Sequence, residues 1–130
     1  MTLILTLTGC EVGWDRLLKY PLRGCLQDGE GMEYSRIGLW SEAKLRILKE
    51  CAKPYSTILK NQYGFSHAYI DAFAGAGWHV SRRTDEFVPG SPLNALLVVP
   101  PFDDYYFVDV NPRKVAALRE LADKRSDVHI

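Results

Sequence analysis

Apolar positions recur at three- and four-residue spacing between Leu45 and Leu59: Leu45, Leu48, Ala52, Tyr55 and Leu59. That spacing lines one face of a helix. Ser41 stands where an N-cap belongs and Glu42 suits the first turn, so a helical lead-in is predicted over residues 39–63. Pro54 should kink or split this helix, and Gly64 should end it. The pattern then changes. "HAYIDAF" (67–73) is a short apolar run bounded by turn residues, as expected of a buried parallel strand. "GSPLNALLVV" (90–99) pairs Ser91 as N-cap with Pro92 at the first helical position, and Pro100-Pro101 should stop that helix. "YYFVDV" (105–110) reads as a second buried strand. Residues 111–125 read as a helix with Pro112 in its first turn and Val115, Leu118 and Leu121 inward, and "DVHI" (127–130) opens a third strand.

Strand, helix, strand, helix, strand is the order of parallel crossovers. It predicts an α/β fold: a Rossmann-like parallel sheet with flanking helices in three layers, preceded by the helical lead-in. Residues 1–33 form a separate, loop-rich leader in this reading. Gly9, Gly13, Gly24, Gly29 and Gly31 interrupt it, a short helix is expected near residues 14–20, and the Thr/Leu alternation at the start suits a strand or an irregular leader. The domain proper then occupies residues 34–130.

Composition narrows the classes without choosing among them. With 130 residues, 47% hydrophobic and 25% charged, the chain is long enough for one globular core. Sixteen basic side chains balance sixteen acidic ones, so net charge makes no case for nucleic acid, although Arg82 and Arg83 form a local basic pair. Cys10, Cys25 and Cys51 are widely spaced without a CxxC pair, which reads as a reduced, cytoplasmic chain, with Cys51 on the apolar face of its helix. Leu7-Thr8-Gly9-Cys10 is similar to a lipoprotein cleavage box but lacks a basic segment before it. No run approaches the roughly 18 apolar residues that would cross a membrane. His67, His79 and His129 are too scattered for metal-ligand spacing.

Candidate chemistry concentrates in Asp71-Ala72-Phe73-Ala74-Gly75-Ala76-Gly77. A loop at the carboxyl end of a parallel strand lies where ligands bind in open sheets, and bare glycines let an adenosine or phosphate approach the backbone. A dinucleotide fingerprint needs a third glycine three positions after Gly77, where this chain has Val80, and no GxxxxGK[ST] loop is present. A pyrophosphate cradle is therefore disfavoured. Asp109 ends the second strand, placed to accept both hydroxyls of a ribose lying over the glycine loop. Asp71 either receives an amino or cationic group or holds the loop in shape. Trp78 and His79 follow the loop and either touch the ligand or pack the loop. "SRRTDEF" (81–87) reads as a solvated loop.

Taken together, "IGLWSEAKLRIL" (37–48), "YIDAFAGAG" (69–77), "GSPLNAL" (90–96) and "YYFVDVNPRKVAAL" (105–118) resemble the three-Cys-motif partner proteins. These are a family similar to class I S-adenosylmethionine-dependent methyltransferases. The resemblance covers residues 34–130 and implies the first half of a methyltransferase fold. It implies S-adenosylmethionine as cofactor, with Asp71, Phe73, Ala74, Gly75 and Gly77 lining the cofactor loop and Asp109 and Val110 at the ribose. Methyl transfer to a nucleobase amino group and a partner bearing the three-cysteine motif are further implications; the alternatives are a non-catalytic nucleotide-binding partner module and another Rossmann-type nucleotide-dependent enzyme. Trp40 and Lys44 match the helical lead-in and are expected to pack or position that helix. The (D/N)PP(Y/F) loop that the amino methyltransferases carry after their fourth strand has no counterpart in these residues, so the expectation is that the chain supplies the cofactor half of a longer protein.

Overall fold

The computed structural model describes residues 34–130. The expected leader, including the short helix, Cys10 and Cys25, lies outside the described residues. In chain order the elements are β1 (Arg36–Ile37), α1 (Leu39–Lys60), β2 (Ala68–Asp71), β3 (Trp78–Ser81), β4 (Phe87–Pro89), α2 (Ser91–Leu96), β5 (Asp104–Phe107), α3 (Pro112–Ala122) and β6 (Val128–His129). The fold is α/β. It holds two small sheets, one mixed in the order β1-β3-β4 and one all-parallel in the order β2-β5-β6.

The parallel sheet is the framework. Tyr69 pairs with Tyr105 and Asp71 with Phe107 in the β2–β5 register, and Tyr105 pairs with Val128 of β6. Side chains alternate along a strand, so Tyr69, Asp71, Tyr105 and Phe107 share one face, each at most 2% exposed. Leu48 and Ala52 of α1, Ala95 of α2 and Leu118 of α3 close over that face in one cluster with Val98 and Phe102. Its rings meet mainly edge-on or tilted, as Phe102 does with Tyr105 at 5.7 Å between centroids, an arrangement that suits aromatic quadrupoles.

Among the described residues the opposite face is bare. Ile70, Tyr106 and Val108 are 48%, 41% and 54% exposed, and Tyr106 stacks on His129, at 4.6 Å between ring centroids. The three-layer expectation is thus corrected among the described residues. All three helices bury their apolar stripes against the same side of β2-β5-β6, giving two layers.

Three local expectations are also corrected. α1 runs uninterrupted through Pro54, because losing one N–H and one carbonyl contact in a helix of 22 residues is outweighed by the burial of Leu48, Cys51 and Ala52 before it and Ser56 after it. Its N-cap is Gly38 and not Ser41, and α2 is capped by Gly90 and not Ser91. In both cases the extended backbone just before the helix does the turning, and the Ser91 hydroxyl is engaged elsewhere. α2 stops at Leu96, short of the proline pair. α3 begins as expected, with Pro112 in its first turn and the Asn111 side chain accepting from the Arg113 N–H at 3.0 Å. Cys51 lies in the core at 8% exposure.

The second sheet is new relative to the sequence reading. β3 runs parallel to β1 and antiparallel to β4, so Trp78 and His79 belong to a hairpin that leaves the glycine loop. Residues 82–86 form its exposed tip, and Ser81 fastens that tip by donating to Glu42 of α1 at 2.6 Å.

Candidate functional site

Two chain crossovers begin side by side at the carboxyl ends of β2 and β5, and the candidate residues gather there. Asp71 is the last residue of β2 and is buried at 2% exposure. One of its carboxylate oxygens accepts from the Phe73 N–H at 3.1 Å, and the other accepts from the Ser91 hydroxyl. Of the two roles open to Asp71, the geometry realises the second: it shapes the loop and anchors the start of α2.

Asp109 lies two residues beyond β5 and closes the site from the other side. Its Oδ2 accepts from the Gly75 N–H at 3.0 Å and its Oδ1 from the Asn111 N–H at 2.8 Å. Alongside, the Ala74 N–H donates to the Val108 carbonyl at 3.0 Å. The glycine loop is therefore stitched to the end of β5 by a backbone bond and a carboxylate. An ionised carboxylate offers about four lone-pair sites. Two remain on Asp109 after these bonds.

The glycines have different reasons for being bare. Gly77 has φ +84, and a Cβ built on it would fall 2.7 Å from Leu121 Cδ2, so α3 packs directly against this backbone. Gly75 has φ +71, yet a Cβ there would meet only His79 Cε1 at 3.8 Å. Left-handed backbone explains both glycines, but only at Gly75 is there space beside the chain. Gly90 is tight against the loop as well, its N–H donating to the Gly77 carbonyl at 2.7 Å.

The sequence candidates divide accordingly. Phe73 is 80% exposed and Val110 99% exposed, while Ala74 is 1% exposed and belongs to the core. Phe73, Gly75, Asp109 and Val110 thus present a surface with an apolar residue on each strand end and a carboxylate between them. Asp71, Ala74 and Gly77 support that surface from beneath. Trp78 meets Phe87 edge-on at 6.4 Å and packs the hairpin. Trp40 is 84% exposed and Lys44 is exposed, so neither packs the lead-in helix on the sheet.

Among the described residues, two buried polar atoms near the loop, the Tyr69 hydroxyl and His79 Nδ1, make no hydrogen bond of ordinary geometry. Burial, reinforced by the Asp71 carboxylate, pushes the Tyr69 phenol far up from its ordinary range. Burial, with Lys114 nearby, holds the His79 imidazole below its usual value and favours its neutral form.

A second constellation was not visible in the sequence. His67 Nδ1 lies 2.8 Å from Asp103 Oδ2, and His67 Nε2 lies 3.2 Å from Ser56 Oγ. The connectivity is that of a nucleophile, base and orienting acid. The environment argues otherwise. Ser56 is 0% exposed, and its hydroxyl donates to the Pro100 carbonyl at 2.6 Å. Its proton is committed away from His67 and no substrate can reach it, so the group is a structural clasp.

Among the described residues no group of three or more His, Cys, Asp or Glu side chains is arranged to hold a metal ion, and no helix is long and apolar enough to cross a membrane. Comparison of the chain with family models, curated proteins and solved structures finds no match in any of the three.

Proposed function

We propose that the surface at the ends of β2 and β5 binds S-adenosylmethionine and that the fold is the cofactor half of a Rossmann-like methyltransferase. The observation that carries this reading is Asp109. It is fixed by the Gly75 and Asn111 N–H groups and still has acceptor sites to offer, beside an open glycine and between the exposed Phe73 and Val110. Those residues fit an adenosine: Asp109 would accept from the ribose hydroxyls, and Phe73 and Val110 would flank the flat base. The absence of a third glycine at Val80 argues for a ligand without a pyrophosphate.

The bound cofactor would supply an electrophilic methyl on its sulfonium, and the protein's part would be orientation. Asp109 and the loop would hold the nucleoside still, while Asp71 and Ser91 keep the loop in its bound shape. Methyl transfer to a nucleobase amino group, and association with a three-cysteine-motif protein, are the acceptor and partner this reading proposes.

Calorimetric titration of the 130-residue chain with S-adenosylmethionine tests the binding. We expect a one-to-one complex that Asp109→Ala weakens at least about tenfold, the equivalent of about 1.4 kcal/mol. Asp109→Asn keeps an acceptor for the loop and separates ribose binding from loop support. Absence of heat with a folded wild-type chain, or equal affinity in the alanine variant, removes the assignment.

A further inference from the structure

A cleft of about 420 Å³ opens beside this surface, lined by Tyr34, Ser35, Arg36, Arg82, Asn111, Arg113 and Lys114. Four of the seven lining residues are cationic and none is acidic. They arrive from three separate segments: the strand β1, the turn after β3 and the first turn of α3. We propose that this cleft binds a ligand carrying two or more phosphate groups.

The cations are held there at a cost. Arg113 and Lys114 occupy the first turn of α3, which contains no acidic residue, and the positive end of the helix dipole disfavours cations. Neither has a carboxylate partner among the described residues. Arg82 is positioned by its own backbone contacts: its Nε donates to the Arg36 carbonyl at 3.1 Å, and its N–H donates to the Ile37 carbonyl at 2.9 Å. Arg36 is paired with Asp85, which is not part of the cleft lining. Three of the four cations, Arg82, Arg113 and Lys114, have no carboxylate partner among the described residues, and like charges gathered so, two of them against a helix dipole, are a local conflict that an anion resolves. Guanidinium forks suit phosphoryl oxygens in particular. The volume fits a small ligand or a short stretch of polymer backbone.

The shared chemistry is the phosphate group, and two sources supply it: a free polyphosphate or nucleotide, and a nucleic-acid strand. The inference stands apart from the cofactor assignment, because none of the four cations belongs to the proposed cofactor surface.

The experiment titrates the full chain with inorganic tripolyphosphate and, separately, with a short single-stranded oligonucleotide at low salt, using calorimetry and fluorescence anisotropy. The R113Q/K114Q double variant is the control. We expect wild-type binding that the variant weakens at least about tenfold, with oligonucleotide affinity falling steeply as salt rises. The variant alone should melt at or above the wild-type temperature, since it removes cations from the helix start. Binding of tripolyphosphate alone identifies a small polyphosphate site, and binding of both identifies a strand. Failure of both probes, or equal binding by a folded variant, overturns the proposal.

Discussion

Gly77 shows how much a single residue of the loop carries. Its φ of +84 lies in the left-handed region, and the missing Cβ is where Leu121 of α3 sits, at 2.7 Å. A side chain there meets two separate penalties, one from the backbone and one from packing. Gly77→Ala should therefore destabilise the fold by about 1–3 kcal/mol, read from the denaturation midpoint. Leu121→Ala introduced together with it relieves the collision only. The double variant should therefore remain below Leu121→Ala alone, and equality of those two would mean that the backbone tolerates alanine at this φ. Gly75 responds differently, because no atom crowds its Cβ position. The sequence showed both glycines as one motif. It had no means of showing that one faces a helix and the other faces open space, since Leu121 stands 44 positions along the chain from Gly77.

At the scale of elements, the clasp around His67 joins three pieces that sequence alone keeps apart. Asp103, just before β5, receives Lys60 from the end of α1 and both the N–H and the ring of His67, which precedes β2. Lys60, and then His67, hold the Asp103 carboxyl at about 2, below its ordinary 3.8. A carboxyl whose folded value is depressed stabilises the fold above the unfolded value, and that contribution disappears as pH falls through the folded one. The window is therefore from near 4 down to about 2. Asp103 and Lys60 are partly exposed, so solvent screening limits the ion pair to on the order of 1 kcal/mol. Asp103→Asn should lower the melting temperature at pH 7 and flatten its acid-side fall between pH 4 and 2. An unchanged acid limb would show that other carboxyls dominate it. The elements that were legible carry local signals: the apolar spacing of α1, the apolar runs around β2 and β5, and the Asn111-Pro112 start of α3. β1 is only two residues long, and its partner β3, although as long as β2 and β5, reads Trp-His-Val-Ser without a continuous apolar run. The serines read as caps were misplaced for a tertiary reason in one case, because Ser91 donates to Asp71.

Across the whole molecule, the feature sequence reasoning misjudged is which faces are covered. "YIDAF" and "YYFVDV" are apolar on both faces, and continuous apolar runs are the signature of strands buried on both sides. Among the described residues only one side is covered, by α1, α2 and α3 together. Ile70, Tyr106 and Val108 remain on the other side, with β2 as an edge strand of its sheet. Exposed apolar sheet next to an unpaired edge is a surface that associates. Sedimentation velocity on the 130-residue chain should accordingly show concentration-dependent self-association. Replacing Ile70 and Val108 together by lysine should shift the distribution toward monomer, because charge on the face opposes contact between copies. Both side chains are about half exposed, so the double variant should change the denaturation midpoint far less than truncation of a core ring such as Phe107, which costs about 3–5 kcal/mol. A wild-type chain that stays monomeric at high concentration would mean that this face is closed in some other way. A folded variant that associates as strongly as the wild type would place the contact elsewhere. The pairing of readouts matters, since loss of association through unfolding would appear in the midpoint as well.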